Sequence, residues 1–301
     1  MNILITGGSG LLAVNWALTI RDRYFVTLGM HRRNISLEGV QTQFIDLESV
    51  NEIVKRLDLL KPKVVIHTVG LTDIEECEAN PDYARHVNVD LAKNVAIACK
   101  TIGIPLIHIS TDHLFYGNMQ LVDETYPVSP RNVYARTKAD AEYVVQNANP
   151  LSIVVRTNFY GWGPYYRRSF SDRIIDALRA NKKIILFEDV YYTPLLIEFL
   201  VDTAHELLDK KIYGVFNIVG DERVSKYQFG MKIAKIFNLD STLIQSGLSS
   251  DMSSRVQRPS DMSLSNKYIT TILDRQLGGL DEQLTKLFQQ EKSGFIREIL
   301  K

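Results

Sequence analysis

The sequence predicts an α/β protein built on a doubly wound parallel sheet, with a smaller and partly interleaved C-terminal lobe. In the first half, short apolar runs alternate with helical patterns, and a glycine-rich turn follows the first run. Apolar strands alternating with helices are typical of a parallel sheet covered on both faces. Because crossovers in such sheets are right-handed, the expected arrangement is the doubly wound, Rossmann-like order. After Arg156 the alternation becomes irregular, which predicts the lobe.

The individual elements follow from length and residue type. Short runs rich in β-branched and apolar residues are predicted as strands at Asn2–Thr6, Phe25–Gly29, Gln41–Ile45, Lys63–His67, Pro105–Ile109 and Ser152–Arg156. Longer segments with helical spacing are predicted as helices at Leu11–Arg21, Leu47–Leu60, Pro81–Thr101 and Asn132–Gln146. In the lobe, helices are predicted at Ser171–Ala180, Ile197–Leu208, Lys226–Phe237 and Leu277–Gln289.

The domain division is placed where the alternation ends. We expect residues 1–156 to form a nucleotide-binding domain and residues 157–301 to form mainly a substrate-binding lobe. Segments near residues 184–220 are expected to return to the first domain. No linker rich in Gly, Ser or Pro separates the two parts, so they are expected to pack tightly.

Composition excludes several classes of function. The chain has 301 residues, with 35 Lys and Arg against 35 Asp and Glu, so it has no overall charge that would favour nucleic acid or an anionic membrane. Its two cysteines form no Cys-x-x-Cys motif, and no His, Asp and Glu cluster has metal-ligand spacing, so no metal is predicted. No apolar run reaches membrane-spanning length and no signal-peptide core is readable. A cytoplasmic protein is therefore expected.

A glycine-rich turn closes the first predicted strand. Gly7, Ser9, Gly10, Leu11 and Ala13 belong to a Gly-x-x-Gly-x-x-Ala pattern between that strand and the first helix. Glycines at this position let the backbone approach a pyrophosphate, and the helix N-terminus supplies N–H donors. Since any tight turn uses glycine, the motif indicates dinucleotide binding only together with its place in the α/β pattern.

The ends of the second and third strands bear on the choice of cofactor. An acid at the end of the second strand would hold the ribose 2′-hydroxyl of NAD, whereas arginine suits a 2′-phosphate. Here Gly29 is followed by Arg32 and Arg33 without an acid, which favours NADP(H) and leaves NAD(H) possible, unless both arginines are simply solvated. Asp46 and Leu47 are placed to border the adenine, although Asp46 is equally suited to cap a helix.

A single Tyr-x-x-x-Lys pair is the strongest chemical signal. Of the 14 tyrosines, only Tyr134 has a lysine, Lys138, four residues later. On a helix this spacing places both side chains on one face, and a nearby cation lowers the pKa of a phenol. Such a tyrosine can exchange a proton with a carbonyl or alcohol oxygen. An isolated pair of this kind can also be an accidental feature of an exposed helix face.

Further candidates lie at the carboxyl ends of the fourth and fifth strands. Val69 and Gly70 follow the fourth strand, and Thr111, Asp112 and His113 follow the fifth. In doubly wound folds these ends meet at the ligand-binding edge. A hydroxyl there can hydrogen-bond a substrate carbonyl beside Tyr134, but Ser, Thr and Asp also cap backbone locally, and a lone histidine is more often packed than catalytic.

These motifs, in this order, resemble the extended short-chain dehydrogenase/reductase superfamily, and finer features resemble its dTDP-4-dehydrorhamnose reductase branch. The resemblance rests on Gly7–Ala13, Ile109–Gly117, Asn132–Lys138, Arg156–Thr157, Tyr192–Pro194 and Arg258–Ser260. It implies that Tyr134 donates a proton to the substrate carbonyl, that Lys138 lowers the pKa of Tyr134 and holds the nicotinamide ribose, and that Thr111 polarises the substrate oxygen.

The resemblance also implies the binding residues. The implied cofactor contacts are Gly7, Ser9, Gly10, Leu11, Arg32, Arg33, Asp46, Leu47, Val69, Gly70, Tyr134 and Lys138. The implied substrate contacts are Thr72, Asp112, His113, Asn158, Phe159 and Arg258. Arg258 would bind the diphosphate of a sugar nucleotide, because a guanidinium fork suits that group, but an arginine before a proline is equally suited to a surface loop.

The chain departs from the pattern of this branch at several positions. Gly29 stands where many relatives carry the acid that selects NAD, and His113 replaces an aromatic residue. Val190–Tyr192 differs before Thr193–Pro194, and Asn15 stands near the place of a metal-binding glutamate, so a magnesium-bridged dimer is not expected. A homodimer remains possible through the helices near residues 81–101 and 132–146, which can equally serve only to cover the sheet.

The function expected from this resemblance is reduction of a nucleotide-linked 4-keto-6-deoxy sugar with a nicotinamide cofactor. A 4,6-dehydratase is disfavoured because His113 stands where a glutamate is needed, and an epimerase-reductase is disfavoured because neither Cys77 nor Cys99 lies near Ser110. A sugar-nucleotide 4-epimerase and a non-catalytic nucleotide-binding subunit, like the regulatory subunit of methionine adenosyltransferase, remain as alternatives.

Overall fold

The computed structural model describes residues 1–251 and 256–299. Its strands are β1 (Asn2–Thr6), β2 (Phe25–Met30), β3 (Val40–Phe44), β4 (Val64–His67), β5 (Leu106–Ile109), β6 (Ser152–Arg156), β7 (Phe159–Tyr160), β8 (Ile184–Phe187), β9 (Tyr191–Tyr192), β10 (Leu195–Leu196), β11 (Gly214–Asn217), β12 (Val224–Ser225) and β13 (Ile244–Gly247). Its helices are α1 (Leu11–Ile20), α2 (Val50–Leu60), α3 (Ile74–Ala79), α4 (Pro81–Arg85), α5 (Leu91–Ile102), α6 (Val133–Ala148), α7 (Phe170–Arg179), α8 (Ile197–Asp209), α9 (Lys226–Ile236), α10 (Lys267–Leu273), α11 (Leu280–Lys292) and α12 (Phe295–Ile299).

The main sheet has seven strands in the order β3-β2-β1-β4-β5-β6-β11, and neighbouring strands are parallel throughout. Helices α1 and α8 pack together, and helices α2, α5 and α6 form a second packed set. The predicted doubly wound parallel sheet is therefore confirmed. The strand order reverses between β1 and β4, and this reversal opens a crevice at the carboxyl ends of the strands, where ligands bind in such folds.

The predicted helix Pro81–Thr101 consists of three pieces. Between α4 and α5 the chain makes a π-helical turn over His86–Asp90. This turn carries the buried Asn88, whose amide nitrogen donates to the Thr137 hydroxyl at 2.9 Å and whose amide oxygen accepts from the Leu71 backbone at 2.7 Å. Helix α3 was not predicted, because its six residues are too few to show a helical period.

The C-terminal lobe is built from short pieces. Three two-stranded sheets, β7 with β10, β9 with β12 and β8 with β13, are joined by helices α7, α9 and α11. Strands of two residues carry no readable alternation, which is why the sequence did not predict them. Residues 214–217 join the main sheet, whereas residues 184–187 pair inside the lobe.

One hydrophobic cluster runs through both parts of the chain. It includes Ile5 of β1, Trp16 of α1, Trp162 after β7, Phe229 of α9 and Leu284 of α11, all fully buried or nearly so. The division at residue 156 stays a prediction, since the core is continuous across it. Within the described residues, no helix is both long enough and apolar enough to cross a bilayer.

Candidate active site

The predicted site residues gather at the crevice between β1 and β4. A cleft of about 340 Å³ opens there, bounded by the turn before α1, the loops after β4 and β5, helix α6 and residues 157–168. The predicted residues that line it are Gly10, Leu11, Val69, Gly70, Thr72, Thr111, Asp112, His113, Tyr134, Lys138, Asn158 and Phe159. The tertiary fold therefore joins the glycine turn, the strand-end hydroxyls and the Tyr-x-x-x-Lys pair, which are far apart in the sequence.

The glycine turn has the shape of a phosphate cradle. Gly7 has φ +74°, and a Cβ on it would lie 2.9 Å from the Thr68 hydroxyl oxygen. The Gly10 backbone donates to the Gly7 carbonyl at 2.8 Å, and Gly10 precedes α1 as its N-cap without a side chain to occupy the first helical N–H groups. These N–H groups are therefore free to bind an anion at the positive end of the helix.

A smaller cavity of about 80 Å³ continues the cleft toward β2 and β3. It is lined by Gly7, Gly29, Asp46, Leu47 and Val69, together with neighbouring residues. A Cβ on Gly29 would lie 3.1 Å from Ile45 Cγ1, so glycine keeps this cavity open. Asp46 lines the cavity but does not cap a helix, since α2 begins at Val50 with Ser49 as its N-cap. Asp46 instead accepts a hydrogen bond from the Glu48 backbone at 2.9 Å in the preceding turn.

The two arginines after β2 have different surroundings. The Arg33 guanidinium lies 3.7 Å from the centroid of the Tyr166 ring, and the Tyr166 hydroxyl donates to the Ser9 carbonyl in the glycine turn at 2.9 Å. Arg33 and Tyr166 line a surface cavity of about 680 Å³ beside the turn. Arg32 is exposed and lines none of the cavities described here.

Helix α6 presents Tyr134, Lys138 and Glu142 at intervals of four residues, so they share one buried face. Asn132 caps the helix by accepting a hydrogen bond from the Ala135 backbone at 2.9 Å. The Lys138 ammonium donates to the carbonyl of Ile109, at the end of β5, at 2.7 Å. This bond fixes α6 against the strand that delivers Thr111.

The pKa values at this face differ from the sequence-based expectation. Burial raises the pKa of Tyr134 to about 12, with the hydrogen bond of the Thr111 side chain acting in the opposite direction. Burial also lowers the pKa of Lys138 to about 8, while the Glu142 carboxylate raises it. The pKa of Tyr134 is therefore raised and not lowered as expected, because the Thr111 hydrogen bond and Arg167 oppose the loss of solvent around the phenol only in part. A phenol with this pKa keeps its proton at neutral pH.

A buried ion pair supports this face from below. The Glu142 carboxylate accepts two hydrogen bonds from Arg156 Nε, at 3.0 and 3.1 Å, and one from its terminal nitrogen at 2.8 Å. The same carboxylate accepts the Ser110 hydroxyl at 2.5 Å. These three side chains come from α6, β6 and the end of β5. Their hydrogen bonds therefore set the position of Tyr134 and Lys138 relative to Thr111.

The side of the cleft formed by the loops after β5 and β6 is also hydrogen-bonded. The Asn158 amide donates to the Asp112 carboxylate at 2.6 Å, and the His113 ring meets Tyr134 edge-on with centroids 5.8 Å apart. Arg167 donates to the Thr72 hydroxyl at 2.7 Å across the mouth of the cleft. Arg258 lies in an adjoining cavity of about 580 Å³ and pairs with Glu75 at 2.5 Å.

Several lining residues were missed by sequence reasoning. They are Leu12, Thr68, Ile74, Thr157, Arg167 and Arg168 in the cleft, Tyr166 beside it, and Arg173 and Lys226 in the adjoining cavity. The run Tyr165–Arg168 after a Gly- and Pro-containing loop was a readable signal, because two aromatic residues followed by two arginines are unusual in a loop. Lys226 gave no signal, since it looks like an ordinary helix-start lysine.

In residues 1–251 and 256–299, no group of three or more His, Cys, Asp and Glu side chains is arranged to hold a metal ion. His67 and His108 stack on neighbouring strands with ring centroids 5.6 Å apart, and burial lowers the pKa of both rings. They are therefore neutral at physiological pH.

The doubly wound sheet and the Tyr-x-x-x-Lys cleft define a protein of the extended short-chain dehydrogenase/reductase class, as the sequence predicted. Residues 1–293 match the family described as the RmlD substrate binding domain, and the chain belongs to that family. The resemblance to the dTDP-4-dehydrorhamnose reductase branch is therefore confirmed.

Individual relatives carry different descriptions. A probable low-salt glycan biosynthesis reductase of Haloferax volcanii is 29% identical over 86% of this chain and 88% of its own length. The methionine adenosyltransferase 2 subunit beta of Rattus norvegicus is 30% identical over 80% of this chain and 73% of its own length. The crystal structure of a dTDP-4-dehydrorhamnose reductase from Clostridium acetobutylicum superposes with a TM-score of 0.83 at 25% identity, covering 97% of this chain and 100% of that chain.

Proposed function

We propose that the protein reduces the 4-keto group of a nucleotide-linked 6-deoxy sugar with a nicotinamide cofactor. The observation that carries the proposal is the buried face of α6, where a protonated Tyr134 and the cation of Lys138 adjoin Thr111 in a cleft that begins at a phosphate-binding turn. The family includes sugar-nucleotide reductases, which supports an oxidoreductase of this kind.

The residues fit the cofactor. The open N-terminus of α1 and the cradle at Gly7 suit a pyrophosphate, and the cavity lined by Gly29, Asp46 and Leu47 suits an adenine ring. A nicotinamide bound in the cleft supplies a hydride. We assign the contacts with the cofactor to Gly7, Ser9, Gly10, Leu11, Arg32, Arg33, Asp46, Leu47, Val69, Gly70, Tyr134 and Lys138.

Three side chains carry out the proposed proton transfer and stabilise its charges. Thr111 donates a hydrogen bond to the keto oxygen and polarises the carbonyl. As the carbon accepts the hydride, Tyr134 transfers its proton to that oxygen, so the carbonyl becomes a hydroxyl and the phenol becomes a phenolate. Lys138, one turn further along α6, stabilises the phenolate with its positive charge. Thr72, Asp112, His113, Asn158, Phe159 and Arg258 are the proposed contacts with the sugar nucleotide.

Replacement of Tyr134 tests the proposal. Tyr134→Phe removes the proton donor without changing the ring, so kcat is expected to fall by about 10²–10⁴-fold while NADPH binding is kept. Tyr143→Phe is the matched control, because Tyr143 lies on the same helix but is 72% exposed. Turnover would be followed by NADPH absorbance, and near-normal turnover of Tyr134→Phe would refute the assigned role.

A panel of sugar nucleotides and nicotinamide cofactors would identify the substrate and the preferred reductant. We propose NADPH as the preferred reductant, since Arg33 stands beside the turn and no acid follows β2. dTDP-, GDP-, UDP- and CDP-linked 4-keto sugars would each be tested with NADPH and NADH. Sugar conversion without net cofactor consumption would indicate an epimerase instead.

A second function follows from the relatives described as methionine adenosyltransferase 2 subunit beta. If this chain is a regulatory subunit, it binds a nucleotide and a larger enzyme but oxidises no NADPH with any keto sugar of the panel. Stoichiometric NADPH oxidation excludes this alternative. We also propose a homodimer, to be tested by measuring mass in solution with light scattering.

A further inference from the structure

At two places where the sequence differs from the reductase branch, the residues lie at one cavity next to the cleft. This cavity, of about 580 Å³, shares Thr72, Ile74 and His113 with the cleft and extends between α7 and α9. His113 and the segment Val190–Tyr192 are the departures. His113 and Val190 line the cavity together with Lys226, the first residue of α9, and the Tyr192 ring lies against the Lys226 ammonium. The cavity wall in which this chain differs from the reductase branch therefore includes a cation.

Lys226 is held by aromatic rings. Its Nζ lies 3.3 Å from the centroid of Tyr192 and 4.9 Å from that of Phe170. Among the residues that the structure describes, no carboxylate forms an ion pair with it. Cation–π contacts orient an ammonium and stabilise it, but they do not neutralise its charge. The ammonium stays available to a ligand.

A second cation lines the same wall. Arg173 of α7 faces the cavity and, within the described chain, has no carboxylate partner either. Burial lowers the pKa of Lys226 to about 8, with Arg173 adding to this effect and Asp112 opposing it. Lys226 therefore remains mainly charged at neutral pH, where an anion would relieve its desolvation.

The acids around the cavity are already engaged. Glu75 pairs with Arg258, Asp73 accepts the Glu76 backbone N–H at 2.9 Å, and Asp112 accepts the Asn158 amide at 2.6 Å. Among the described residues that line this cavity, Lys226, Arg173 and Arg258 are positive and Asp73 and Glu75 are negative, so positive charge is in excess. The cavity thus has the electrostatics of a site for an anionic ligand.

We propose that Lys226, assisted by Arg173, binds an anionic oxygen group of the substrate and selects substrates that carry it. This inference rests on the proposed function, because it assumes that the cavity holds the part of the substrate beyond the reacting carbonyl. The group is either a phosphate of the nucleotide or a carboxylate on the sugar, and the two sources are separated by the choice of ligand.

The test measures binding, not turnover. Lys226→Met keeps the chain length and removes the charge, and Lys232→Met is the matched control on the same helix, since Lys232 pairs with Glu222 and Asp281. Dissociation constants for dTDP, UDP-glucose and UDP-glucuronate would be measured by calorimetry on the full chain. A lost hydrogen bond to a charged group corresponds to about tenfold to a hundredfold weaker binding.

Each binding result either supports the proposed anion site or overturns it. Equal weakening of all three ligands in Lys226→Met assigns the cation to phosphate, and weakening of UDP-glucuronate alone assigns it to a sugar carboxylate. Unchanged affinity for every ligand, or equal effects in Lys232→Met, overturns the proposal. If Lys226→Met does not fold, Lys226→Arg should keep the affinity and Lys226→Gln should lose it. Intact binding without NADPH oxidation would refute the reductase but leave this site standing.

Discussion

Tyr134 and Lys138 owe their properties to burial as much as to spacing. The sequence places them one helical turn apart, and the fold then covers both with the loops after β4 and β5. Burial raises the pKa of the phenol to about 12 and lowers that of the ammonium to about 8, so the two values move apart. The result is a tyrosine that holds its proton until a substrate oxygen becomes basic, beside a lysine whose charge is easily lost.

The pH dependence of the proposed reaction is expected to follow from Lys138. Burial lowers its pKa to about 8, so above that pH it loses the charge that stabilises the phenolate. We expect kcat/KM to fall by roughly tenfold per pH unit above pH 8, since this parameter reports groups of the free enzyme. A profile that stays flat to pH 10 would contradict the role of Lys138.

Glu142→Gln distinguishes Lys138 from other groups that titrate in this range. The Glu142 carboxylate raises the pKa of Lys138, so its neutral replacement should shift the alkaline limb to lower pH. Lys226 also has a pKa of about 8, and Lys226→Met should therefore keep the limb if Lys138 causes it. A shift of the limb to higher pH in Glu142→Gln would rule out this electrostatic coupling. A merely structural role of Glu142 predicts lower activity without any shift.

At the scale of elements, the turn between β1 and α1 is set by local sequence. Gly7 adopts a positive φ and lies against Thr68, and the N-cap Gly10 leaves the first turn of α1 open. The same sequence that predicts the turn thus predicts its ligand chemistry. By contrast, the π-helical turn with Asn88 could not be predicted, because it depends on hydrogen bonds to Leu71 and Thr137 from other elements.

A pair of glycine substitutions separates backbone strain from ligand binding. Gly7 and Gly103 have φ angles of +74° and +75°, so alanine at either position should cost about 1–2 kcal/mol of stability. A Cβ at Gly103 meets nothing within 4 Å, whereas a Cβ at Gly7 presses on Thr68 at the cofactor cradle. We expect both variants to unfold at lower urea concentration, but only Gly7→Ala to bind NADPH more weakly. Equal NADPH affinity in the two variants would argue against the cradle.

At the scale of the molecule, the predicted domains share one core. Trp16 of α1 donates to His205 of α8 at 3.0 Å, and Trp162 donates to the Leu287 carbonyl of α11 at 3.1 Å. Both indoles belong to the same hydrophobic cluster, and β11 returns from the second half of the chain to the main sheet. The two parts are therefore expected to unfold together.

The two tryptophans report on the two parts separately. In Trp16→Phe the remaining fluorescence comes from Trp162, and in Trp162→Phe it comes from Trp16. In each variant we expect the urea midpoint from fluorescence to agree with the midpoint from far-ultraviolet circular dichroism. A fluorescence midpoint that separates from the circular dichroism midpoint in either variant would mean that the parts unfold independently, as two domains divided at residue 156 would.

The sequence by itself determined the doubly wound sheet, the glycine turn and the Tyr134–Lys138 pair, because strand alternation, backbone freedom and helical spacing are local properties. It did not determine the short strands of the lobe, the support of α6 by Glu142 and Arg156, or the placement of the Lys226 ammonium against the Tyr192 ring. These depend on side chains that meet only after distant segments pack. The tertiary structure also decided the pKa values, since desolvation depends on what covers a group and not on its neighbours in the chain.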